Sequence, residues 1–186
     1  ELISKVLYPS DDHSEGKTLR LRQQYFLVSA SIQNIINDHV KRYKDLHTLP
    51  DKVAIHINDT HPALCIPELM RILMDDHGLG WDESWDIVTR TVAYTNHTVL
   101  VEALETWSLD RIERMLPRLA MIIKEINQRF TSSMWQYYPN DWNKIEKLAI
   151  VSNNTVRMAN LSVVGSHKVN GVSALHSDII KHSIFK

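Results

Sequence analysis

The stretch from Asp51 to Leu73 reads DKVAIHINDTHPALCIPELMRIL, and its reading decides the fold. "VAIHI" is β-branched and partly alternating, which predicts a short strand over 53–57. Asn58-Asp59-Thr60-His61 follows, and Pro67 then marks the first turn of a helix carrying Leu69, Met70, Leu73 and Met74. A carboxylate, a hydroxyl and an imidazole thus stand together at a strand-to-helix junction. In an open α/β sheet that junction is the carboxyl end of a strand, where such sheets bind ligands. The plain alternative is local, with Asp59 and Thr60 merely capping the next helix.

Working outward, "HGLGWDES" predicts a turn with Asp82 as the helix N-cap. The helix after it carries Trp85, Val88 and Val92 and runs into a second strand, "VAYTNH". Strand, polar residues, two helices, strand and polar residues in succession predict parallel strands joined by helical crossovers. Upstream, Leu21, Tyr25, Val28, Ile32 and Ile35 lie on one face of a helix over 17–41. The segment 8–16 before it reads as an exposed loop, and "DLHTLPDK" as a connector.

Downstream, Ser108 is expected to cap a helix, with Trp107 and Ile112 as a hydrophobic staple. Pro117 opens another, whose Leu119, Ile122, Ile123, Ile126 and Phe130 share a face, and 141–148 also reads as helical. "NNTVRMANLSVV" reads as a helix entered at Asn154, with strand as the alternative. "HKVNGV" predicts a short buried strand and "SALHSDIIK" a final helix. The fold class is α/β and helix-rich, with short parallel strands and long amphipathic helices; five glycines in 186 residues fit it.

With 44% apolar residues the chain is able to bury a real core. A net charge of −1 argues against nucleic acid or an anionic membrane as partner. Lys41, Arg42 and Lys44 fall at a helix end, where cations suit the dipole. No apolar run approaches the roughly 18 residues of a membrane span. Cys65 is alone, so it reads as a buried thiol of a reducing compartment, and the protein as cytoplasmic. Beginning at Glu1 and stopping just after a helical pattern, the sequence is expected to be a piece of something longer, 1–186 forming one partial domain.

Three polar clusters are candidates for chemistry: Asn58-Asp59-Thr60-His61, Asn96-His97-Thr98, and His167 with Asn170-Gly171. The first two follow predicted strands and so belong on one sheet edge. His56, Asp59, His61 and His97 are metal-ligand types, but they do not share a helical face and no HExxH is present. Glu102 and Glu105 are the types and spacing of a glycosidase pair on a helix. A helical module without chemistry is the third reading.

The motifs "LYP…EGKTLRLRQQYF", "INDTHPALCIPELMRIL", "AYTNHTVLVEALE", "LPR…EINQRF" and "VVGSHKVNGVSALHSDIIK" run in order through the whole chain. Together they closely resemble the glycogen (α-glucan, maltodextrin) phosphorylase family, whose members are several times longer. The resemblance implies a segment of the amino-terminal domain, part of a doubly wound, GT-B-like sheet. It implies reversible phosphorolysis of α-1,4-glucan to α-glucose 1-phosphate with retention, from glucan and inorganic phosphate. It also implies a homodimeric parent and a pyridoxal phosphate whose phosphate does the work. The cofactor's attachment lysine and the basic phosphate-binding residues match nothing in this segment.

By motif match His97 resembles the residue whose imidazole meets the sugar 6-hydroxyl. Asp59, His61, Ala103 and Glu105 resemble positions lining the pocket beside that sugar, and Val172 one packing near it. Asp11 and Asp12 resemble a gating loop, within 8–16. Asp12, His13, Ser14 and Val101 depart from the commoner family pattern, which bears on gating. The piece alone is expected to be inactive. It is also expected to leave Leu21/Val28/Ile32 or Leu119/Ile123/Ile126 partly uncovered, favouring self-association.

Overall fold

The computed structural model describes residues 3, 5, 6, 9 and 13–179, so Asp11 and Asp12 lie outside the described residues. Helix α1 (Ser14–Tyr43) has 30 residues, about 45 Å of helix. It starts three residues before the predicted bound, so the loop reading of 8–16 gives way to helix from Ser14. Lys44, at φ 64°, ends it in the left-handed conformation. Leu21, Val28, Ile32 and Ile36 on one face are buried.

The connector is a 3-10 turn (Leu46–Thr48) running into the short α2 (Leu49–Lys52). Next come β1 (Ile55–Asn58), α3 (Cys65–Arg71) passing into a π-turn (Ile72–Asp76), α4 (Trp81–Thr91) and β2 (Val92–Asn96). The cap of α4 is Gly80, not Asp82; Glu83 reaches back so that its Oε2 accepts from the Gly80 N–H at 3.0 Å. β3 (Thr106–Ser108) leads into α5 (Leu109–Met115), and then follow α6 (Pro117–Met134) and α7 (Trp142–Leu148). The chain continues through β4 (Val151–Ser152), β5 (Thr155–Arg157), α8 (Met158–Val164), β6 (Lys168–Gly171) and α9 (Ala174–Ile179).

Two sheets result. β1, β2 and β6 pair in parallel in the order β1-β2-β6, with Ile57 beside Tyr94 and Tyr94 beside Val169. Ile57, Val92 and Tyr94 sit in the core, whereas His56, Asn58, Lys168 and Asn170 on the alternate positions are exposed. β6 is therefore an exposed edge strand with only Gly171 buried, not the buried strand expected. The second sheet, β3-β5-β4, is antiparallel. Asn153 and Asn154, at φ 49° and 57°, form its two-residue hairpin. The helix expected from Asn154 accordingly begins only at Met158.

Helix α3 is the hub, packed against α1, α4 and α6, and its residues Cys65 to Met70 are all buried. Such burial on every side explains why it lacks a polar face. It also corrects the expectation of uncovered helix faces. Leu21, Val28, Ile32, Leu119, Ile123 and Ile126 are each at most 4% exposed. Burial pushes the Cys65 thiol up to about 12. Native protein at pH 8 should therefore leave Cys65 unalkylated by iodoacetamide, with labelling appearing only in denaturant; peptide mass mapping checks this.

Gly165 closes α8 against α3. A Cβ there would stand 2.6 Å from Ile66 Cδ1, and Ile66 is wholly buried. Gly165→Ala should therefore destabilise the fold by about 1–3 kcal/mol through overpacking, read from chemical denaturation.

Candidate functional site

The parallel sheet ends at Asn58, Asn96 and Gly171, and the first two polar clusters leave it there. His167 stands at the opposite edge, its N–H donating to Val92 O at 3.0 Å. Asp59 turns the chain sharply at φ 62°, a conformation Asp tolerates better than most side chains. Its N–H still donates to Thr95 O at 2.8 Å, extending the ladder by one residue. Asp59 Oδ1 accepts from the Thr60 N–H at 2.7 Å and Oδ2 from Thr98 Oγ1 at 3.1 Å. The carboxylate thus ties the loops after β1 and β2 together.

Beside it lies Glu105, between the 3-10 turn Val101–Ala103 and β3, with its side chain 12% exposed. Its Oε2 accepts from Arg20 Nη2 at 3.2 Å and Gln24 Nε2 at 3.0 Å, both on α1. His61 Nδ1 is 3.8 Å from the same oxygen, and Thr60 Oγ1 is 3.5 Å from Oε1. The Arg20 guanidinium lies 5.9 Å from the centre of the Trp107 ring. Glu102, in contrast, is exposed on the 3-10 turn, so the two glutamates do not form a pair on one helix face.

Asp59, His61, Ala103 and Glu105 line a single cavity of about 700 Å³ with Lys17, Arg20 and other side chains. A more apolar cavity of about 860 Å³ between α1 and α5 holds no carboxylate in its lining. The smaller one is the candidate site because it joins hydrogen-bonding groups of both signs at the carboxyl ends of strands. His97 is exposed and bonded through Nε2 to Asn58 Oδ1, next to this wall but not in its lining. Val172, 56% exposed just after β6, also lies outside the lining.

Asn96 is fully buried, donates to Tyr94 Oη at 2.8 Å, and leaves its Oδ1 without a partner. Burial pushes the Tyr94 phenol well up, so it stays neutral. Arg20 and Gln24 were not read from the sequence as site residues, and Asn58 was read only as part of its cluster, not as the partner of His97. Arg20 and Gln24 are more than 80 positions from Glu105, and only the i, i+4 spacing on one helix hinted at a joint role. Among the described residues no group of three or more His, Cys, Asp or Glu is placed to hold a metal. No described lysine is buried, and Lys17, in the cavity lining, is exposed. These residues therefore do not form a site for an aldehyde cofactor, which needs a sheltered amine.

A polar cavity at the carboxyl edge of a parallel sheet is where open α/β sheets place their ligands. The profile of the Phosphorylase family, described as carbohydrate phosphorylase, matches residues 1–186, and the chain belongs to that family. It is 55% identical to the glycogen phosphorylase of Bacillus subtilis (strain 168) over 97% of this chain and 23% of that protein. It is 53% identical to cytosolic alpha-glucan phosphorylase 2 of Arabidopsis thaliana over 98% of this chain and 23% of that protein. The muscle form of human glycogen phosphorylase is 48% identical over the whole chain and 23% of its own length. The chain thus spans about a quarter of the length of these relatives.

Proposed function

We propose that these residues form one wall of the glucosyl pocket of an α-glucan phosphorylase. The reaction is reversible phosphorolysis of an α-1,4-glucan by inorganic phosphate, giving α-glucose 1-phosphate with retention. The observation that carries this reading is the meeting of Asp59, His61, Ala103 and Glu105 on one cavity in a chain of this family.

On this reading Asp59 and Glu105 accept from sugar hydroxyls, while Arg20 offsets the charge of Glu105. Asn58 holds His97 through Nε2, so the tautomer with Nε2–H leaves Nδ1 to accept from the sugar 6-hydroxyl. The part played by this wall is orientation, placing the anomeric carbon for attack and favouring charge development there. Val172 is proposed to pack near the sugar, and Asp11 and Asp12 to belong to a gating loop.

Pyridoxal phosphate, which supplies a phosphate as proton donor and acceptor, is proposed to be held by polypeptide outside these residues. The same outside chain is proposed to extend β1-β2-β6 into a doubly wound, GT-B-like sheet, since parallel sheets are normally covered on both faces. The parent is proposed to be a cytoplasmic homodimer. Incubating the full-length protein with a maltooligosaccharide and inorganic phosphate should release α-glucose 1-phosphate, identified by NMR. Release of free glucose, independent of phosphate, would contradict the proposal and favour a hydrolase.

A further inference from the structure

The side chain behind Glu105 carries a stability cost. Gln24 does not line the cavity; its Nε2 donates to Glu105 Oε2 at 3.0 Å, from beneath the wall. Its other end, Oε1, is buried without a hydrogen-bond partner. A buried acceptor left unpaired destabilises a fold, whereas an apolar side chain of the same shape carries no such cost. The unpaired end of the amide is therefore not explained by stability.

What it does to Glu105 is specific. Gln24 and Arg20 stand one turn apart on α1 and both bond Oε2. That leaves Oε1 with a long contact of 3.5 Å from Thr60 Oγ1. A carboxylate gripped by one oxygen from two donors of a rigid helix has a fixed rotamer, with its second oxygen ready to accept from a ligand.

We propose that Gln24 is a positioning residue that fixes the Glu105 carboxylate for the sugar. The inference rests on the reading of the cavity as a glucosyl pocket. Arg20 supplies the compensating charge beside Glu105, and Gln24 supplies the direction. Loss of the amide leaves the carboxylate held by Arg20 and by the longer Thr60 and His61 contacts, a looser grip, so substrate must restore the order on binding. The consequence falls on ground-state binding more than on turnover.

The test is Gln24→Met in the full-length protein, with Gln33→Met as a control on the same helix, where the amide donates to Ser29 Oγ and not to the wall. Methionine keeps the length and unbranched shape of glutamine and removes both polar ends. The expected result is a glucan KM in phosphorolysis raised about five- to tenfold, the loss of one oriented hydrogen bond. kcat should change less, and the melting temperature should stay level or rise. The control should leave KM unchanged. A Gln24→Met KM within about twofold of wild type, or a fall in Tm with kcat falling in step, overturns the proposal. A wild-type protein that does not phosphorolyse the glucan at all is a separate outcome, and overturns the pocket reading together with this one.

Discussion

Arg71→Met is expected to destabilise the protein by about 3–5 kcal/mol, the cost of leaving a buried charge unpaired. The charge is Glu68, which is 0% exposed in α3 among apolar neighbours. Four donors satisfy it. Ser29 Oγ at 2.8 Å and Arg71 Nη2 at 3.1 Å reach Oε1, while Arg71 Nε at 3.0 Å and Tyr25 Oη at 3.4 Å reach Oε2. Arg71 supplies the bidentate pair and the compensating charge, and its hydrogen bonds to Glu68 raise the guanidinium pKa. Without it, two neutral hydroxyls remain for a carboxylate inside the core. The double variant Glu68→Gln/Arg71→Met should recover much of the loss, because an amide carries no charge to desolvate. Urea unfolding of the three proteins checks both statements. A loss below about 1 kcal/mol for Arg71→Met would show that the carboxylate is not held as a charge.

His97→Ala is expected to reduce phosphorolysis about five- to a hundredfold while leaving the melting temperature near wild type. A hydrogen bond to a sugar hydroxyl is worth about 1–3 kcal/mol at the transition state, which gives that range. Stability should hold because the ring is exposed and, among the described residues, its side-chain bond is to Asn58, itself exposed at the strand end. Asn58→Ala should reproduce part of the loss by freeing the imidazole. Steady-state kinetics beside melting curves separates these effects. Unchanged turnover in His97→Ala would remove the residue from the pocket.

Features with a local period were legible in the sequence. The apolar face of α1 and the strand–polar–helix unit around Asp59 are patterns of neighbours, and both formed close to the expected bounds. The same holds for Asp141, whose side chain accepts from Lys144 N at 3.0 Å to cap α7. Sites where one local device displaced another were misread, as when Gly80 with Glu83 took the cap expected of Asp82. β3 and β4 were missed, and β5 was read only as the strand alternative for "NNTVRMANLSVV", because they have at most three residues each. The Asn153-Asn154 pair was the signal that could have revealed them, since both residues accept positive φ.

The site divided along the same line. Asp59 and His61 were legible because they follow a strand. The groups that orient the site were not, since Arg20 and Gln24 meet Glu105, and Asn58 meets His97, only through the tertiary fold. The helix faces expected to be uncovered are covered by one another around α3, which no single-element pattern shows.

The most direct test of the glucosyl-pocket reading is a crystal structure of the full-length protein with glucose bound. The account predicts the sugar at the carboxyl edge of β1 and β2, with a hydroxyl within hydrogen-bond distance of His97. Its ring should lie beside the wall formed by Asp59, His61 and Glu105. A sugar bound elsewhere, with this cavity holding only water at saturating glucose, would contradict it.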